Sequence, residues 1–131
     1  MLAYLDRTPP ELPLPQRVAL MGMRVWAREV RCKRSPITPL QSLFARFDTP
    51  GALMPAHSFL YWSATHAARA IDLGCPCCGR VSEDEALMLA AMFMGDVNAS
   101  CAAMRGIVAP VALAGAVRLA REFGVELQAL A

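Results

Sequence analysis

Five consecutive residues, Cys75-Pro76-Cys77-Cys78-Gly79, hold most of the reactive chemistry in this chain. Thiols at i and i+3 of a tight turn point at one centre. The proline presets the bend, and the glycine admits a left-handed backbone beside it. Such a turn suits a soft cation such as zinc, and it also suits a reversible dithiol–disulfide pair. A helix is expected to open just downstream at Ser82, and its positive end favours thiolates nearby.

One such knuckle gives two ligands, whereas a structural zinc site takes four. His57 and His66 are nine residues apart on one expected helix. At about 100° per residue they lie about 180° apart and cannot serve the same ion. His66 is the better placed, because the short link through Gly74 can fold the turn back toward it. Cys101 lies 19 residues beyond Ser82, about 28 Å along a continuous helix, and is out of reach unless that helix breaks near Gly95. Cys32 ends an earlier helix and is geometrically free. Two ligand sets follow. One is Cys75, Cys78 and His66 completed by Cys32 or Cys77; the other is Cys75 and Cys78 from two chains across a dimer axis.

The order Cys-Pro-x-Cys-Gly resembles the knuckle of zinc ribbons and rubredoxin-like sites over these five residues, which implies a metal-holding role and no shared fold. Cys-Pro-x-Cys also resembles the glutaredoxin-type dithiol, in which the first cysteine attacks. The βαβ pattern of that family is missing here. Three adjacent thiols could still act as a redox sensor through a disulfide between Cys75 and Cys78.

The elements that must position this turn are helical. Ser82 and Glu85 form a capping box, and Glu83, Asp84 and Glu85 place negative charge at the positive end of the dipole. From Ala86 to Met94 the sequence is unbroken apolar, so its side chains point all round the axis and must be enclosed. A central helix over about 82–105 is expected, with Gly95 and the pair Asp96/Asn98 as the points where it could divide. Residues 1–15, with four prolines, read as an extended lead-in, and residues 16–131 as one helical domain. Within that domain a first helix is expected over 16–33. Thr38-Pro39-Leu40-Gln41 suggests a capping box that opens a short second helix. A third helix over 55–72 should stop at Gly74, and a last one should start at Pro110 and stop at Gly124. No stretch alternates as a strand should. The expected fold is an all-α bundle of about five helices around the apolar one.

Arg17, Arg24, Arg28 and Arg31 fall within about 60° on the first helix. Up to Arg34 the chain has seven basic residues against three acids, although the whole carries only +2. The stripe is a candidate surface for nucleic acid or an acidic partner, or simply a solvated face opposite the core. Composition bounds the rest. With 131 residues, 56% of them hydrophobic, the chain is one domain with a substantial core. No apolar run reaches the roughly 20 residues of a membrane span, and Asp6, Pro9 and Pro10 do not fit a signal peptide. The apolar excess suggests a homodimer, and five cysteines, three of them in four positions, suggest a reducing cytoplasm. With no paired carboxylates and no phosphate-cradling loop, an accessory or regulatory role is expected over an enzymatic one.

Overall fold

In the computed structural model, which describes residues 3–131, the chain forms six α-helices. They are α1 (Leu14–Arg31), α2 (Ile37–Arg46), α3 (Leu53–Thr65), α4 (Glu83–Phe93), α5 (Val97–Met104) and α6 (Leu113–Leu127). No strand occurs among the described residues, only a single antiparallel bridge between Ala67 and Val108. The all-α bundle read from the sequence is the architecture found, with one more helix because the central one divides.

The capping box at Ser82 is present in full. Its hydroxyl accepts from the Glu85 amide at 3.1 Å, and the Glu85 carboxylate accepts from the Ser82 amide at 2.9 Å. The helix it launches is enclosed: Ala86, Met88, Leu89, Ala91 and Met92 are buried, and along α4 only Glu83 is exposed. Each large apolar side chain so buried contributes about 1.5–3 kcal/mol. α4 is packed on one side by α1 and on others by α5 and α6.

The rod does not run to residue 105. Met94 is extended, Gly95 takes φ +56°, and the Asp96 carboxylate accepts from the Ala99 amide at 3.0 Å to cap a new helix. A left-handed residue that glycine adopts without strain, followed by a good N-cap, outcompetes continuation. The Ser100 hydroxyl then donates to the Ala91 carbonyl at 2.8 Å and fastens α5 back onto α4.

Other boundaries differ for local reasons. Helix α2 starts at Ile37, so Thr38 is not its cap; Pro39 sits in the first turn, where no amide donor is needed. Helix α3 ends at Thr65, well before Gly74, because His66 and Ala68 pair instead with the 107–109 segment: Ala68 N–H donates to Ile107 O and Ala109 N–H to His66 O, both at 2.9 Å. Helix α6 continues through Gly124, which is buried and serves a close approach rather than a stop; a Cβ there would lie 2.2 Å from the Met92 carbonyl oxygen. In the lead-in, whose first two residues lie outside the described ones, Pro9–Glu11 form a 3₁₀ turn, and α1 starts at Leu14 rather than residue 16.

The accessible surface of the single chain is 6641 Å². A compact monomer of 14.2 kDa is expected to show about 6,800 Å². The chain is thus as compact as an ordinary monomer and encloses α4 by itself, while Val97, Val111 and Val125 stay exposed.

Candidate metal centre

Between α3 and α4 the chain from residue 66 to 82 has no helix, so its backbone polar groups need partners from elsewhere. Two acidic side chains at the start of α4 supply acceptors. Asp84 accepts from the Asp72 amide at 2.7 Å and from Arg69 Nη1 at 2.9 Å. Glu85, fully buried, accepts from the Gly74 amide at 3.0 Å, the Ser82 amide at 2.9 Å, Arg24 Nε at 2.8 Å and Arg24 Nη2 at 3.0 Å.

Arg24 supplies the donors. Its guanidinium, 2% exposed, gives Nη1 to the Cys78 carbonyl at 2.8 Å and Nη2 to the Arg80 carbonyl at 2.9 Å. One buried ion pair thus grips both ends of the cysteine turn, at Gly74 and at residues 78–80. The turn itself closes through Cys78 N–H to Cys75 O at 3.0 Å. Gly79 is not left-handed; among the described glycines only Gly95 is.

On this anchored turn Cys75 Sγ lies 2.9 Å from Cys78 Sγ and 3.1 Å from Cys77 Sγ. Cys78 Sγ also accepts from the Cys75 amide at 3.1 Å. Hydrogen bonds from the Cys78 thiol first, then from the Cys77 thiol, lower the Cys75 pKa to about 7. The same contacts raise Cys77 and Cys78, since each is the donor when Cys75 ionises. Of the three thiols Cys75 is therefore the first to ionise, with Cys77 and Cys78 as its protonated donors. Around zinc at about 2.3 Å per sulfur, thiolates stand about 3.8 Å apart; a disulfide brings them to about 2.05 Å. The observed separations lie within about 1 Å of either arrangement. As they stand, the sulfurs are packed on one another, and no group of three or more His, Cys, Asp or Glu side chains among the described residues forms a ready-made metal cage.

The other expected ligands are placed apart from this trio. Cys32 caps the C-terminal end of α1 and is exposed. His66 caps α3, with its ring 4.3 Å from that of Trp62. His57 accepts from the Trp26 indole N–H at Nδ1, 3.1 Å away, which commits that nitrogen to the core. Cys101 comes off the spine at the Gly95 break and lines a groove between α5 and α6.

The arginine stripe on α1 needs correction as a partner surface. Arg24 is buried. Arg17 donates to the Leu12 carbonyl at 3.1 Å, and Arg31 donates to the Leu73 carbonyl. Arg28 is half-exposed and stands 3.8 Å from the Glu29 carboxylate. Three of the four arginines serve as donors for irregular backbone lying against α1, so they do not present one cationic face. Sequence reasoning placed Arg24 in a surface stripe and missed its anchoring role, as it missed the second role of Glu85. The one available signal was a glutamate that a capping box already accounted for. Comparisons of the chain with protein-family profiles, with characterised proteins and with solved structures find no match.

Proposed function

We propose that this chain is a small accessory or regulatory protein whose Cys75–Cys78 turn holds a soft divalent cation, zinc foremost, through the thiolates of Cys75, Cys77 and Cys78. The observation that supports this most is the approach of the Cys77 and Cys78 sulfurs to about 3 Å from Cys75 Sγ on a turn pinned from both ends by the Arg24–Glu85 pair. Anchoring matters because ligands held by a rigid shell lose little freedom on binding. With His66 and Cys32 placed apart from the trio, a fourth ligand would come from a second chain. A reducing cytoplasm, where five thiols persist unpaired, suits this reading.

A homodimer is part of the proposal. The α5–α6 groove, about 610 Å³, has Val97, Val117 and Val125 in its walls and Arg118, Arg121, Glu122 and Glu126 around it. A face with apolar walls and both signs of charge can pair with its own copy about a two-fold axis.

The lowered Cys75 thiol favours a second reading, a dithiol switch. Here the Cys75 thiolate attacks a small disulfide, one thiol leaves, and the Cys78 thiolate displaces the other, so that two protein thiols are oxidised and one disulfide is reduced. Metal analysis and intact mass on protein purified under reducing conditions separate the two. Zinc at one per chain or one per dimer, lost in Cys75→Ser, supports the metal reading. Zinc-free protein that loses two hydrogens between Cys75 and Cys78 on mild oxidation overturns it in favour of the switch. Thiols that stay reduced and bind no added zinc refute both.

A further inference from the structure

A cavity of about 240 Å³ lies between α1, α3 and α4, closed on one side by the irregular segment that follows α3. Its apolar walls include Trp26, Leu60, Leu73 and Met88. Ser63 breaks that apolar lining. It is 0% exposed, and its hydroxyl finds no hydrogen-bond partner among the described residues. A serine inside a helix ordinarily bonds back to the carbonyl one turn earlier, and a buried hydroxyl left unpaired is a group with its bond still to make.

Arg31 and Arg69, both also open to solvent, are among the residues that line the cavity. Arg69 is neutralised by Asp84. Arg31 donates only to the neutral Leu73 carbonyl, so its positive charge is uncompensated by any carboxylate contact among the described residues. The site therefore combines an apolar body, one buried hydrogen-bonding group and one net positive charge. Pockets of that make-up bind small molecules by burying a carbon skeleton and fixing its orientation with a few polar groups.

From this we infer a binding site for a small monocarboxylate. Its carboxylate pairs with Arg31, its apolar body packs against Trp26, Leu60 and Met88, and a hydroxyl or carbonyl on that body meets Ser63. A cavity of about 150 Å³ holds benzene, so this one accepts a ring with a short acid arm and one further polar atom. The site is independent of the thiols.

The test compares three ligands of nearly equal size by calorimetric titration: 4-hydroxyphenylacetate, phenylacetate and tyramine. The first should bind saturably, roughly five-fold tighter than phenylacetate through the hydroxyl contact and at least about ten-fold tighter than tyramine, whose charge is reversed. Ser63→Ala should remove the advantage over phenylacetate, and Arg31→Gln the advantage over tyramine. If either variant fails to fold, the ranking on the unaltered protein decides. Saturable binding of none of the three, tyramine binding as tightly as the acids, or phenylacetate matching its hydroxylated analogue would each overturn the inference.

Discussion

Arg24 of α1 and Glu85 of α4, 61 residues apart in sequence, meet through two hydrogen bonds of 2.8 and 3.0 Å, with both side chains almost wholly removed from solvent. Neither group is left unsatisfied: the carboxylate takes two further amide donors and the guanidinium two carbonyls. Removing one partner from such a pair leaves a buried charge uncompensated, at a cost of about 3–5 kcal/mol. Arg24→Met should therefore lower the unfolding free energy by that amount in urea titration. It should also raise the reactivity of Cys78 with thiol reagents, because the turn loses its tether. A variant that keeps full stability would show that the clamp contributes nothing.

The thiol cluster predicts a pH profile. With Cys75 lowered to about 7, its rate of alkylation by iodoacetamide should reach half-maximum near pH 7. Cys78→Ser weakens the largest lowering contact and should move that midpoint toward the ordinary value of about 8.5. Mass spectrometry of tryptic peptides quenched at successive pH values reads this directly. A midpoint unchanged by the substitution would dismiss the hydrogen-bonded hub.

Acid should release the turn. Asp84 is held below its usual range chiefly by the Arg69 guanidinium. At Glu85 burial pushes upward, yet Arg24 and the Ser82 and Gly74 amides together outweigh it and leave the carboxyl lowered. A carboxylate with a depressed folded pKa stabilises above its unfolded value of about 4 and loses that contribution as pH falls through the folded value. Stability should thus be level from about pH 7 to 5 and decline below about 4. Glu85→Gln should be less stable at neutral pH and show a shallower decline, measured by urea unfolding across that range.

Gly124→Ala tests the contact between α4 and α6. Alanine favours a helix over glycine by about 1 kcal/mol. Here, however, the added methyl would stand 2.2 Å from a backbone oxygen that cannot swing aside. Overpacking should win, with a net loss of about 1–3 kcal/mol. Gly79→Ala, with nothing within 4 Å of the new carbon, serves as the neutral comparison in the same thermal or urea melts.

How far these features can be read from sequence varies with their range. The box at Ser82 and the enclosed run from Ala86 to Met92 were legible, because both depend on residues within a turn or two of one another. Gly95 was legible as a weak point but not as a break, since the outcome depends on Ser100 reaching the Ala91 carbonyl after the chain has folded back. The Thr38 box failed because Pro36 and Ile37 start the helix sooner. The turn's three thiols were visible and their anchor was not. A stripe of arginines looks the same in sequence whether it faces solvent or another segment of the same chain, and only the path of residues 72–82 over α1 distinguishes the two.

The Asp72 and Gly74 amides sit in chain with no regular structure, yet their acceptors are carboxylates rooted in the first turn of the innermost helix. Each of these bonds must open before its proton exchanges, so these two amides should exchange with deuterium more slowly than unpaired loop amides. A segment that looks like a loop by its dihedral angles would then show protection at the two points where the start of α4 holds it.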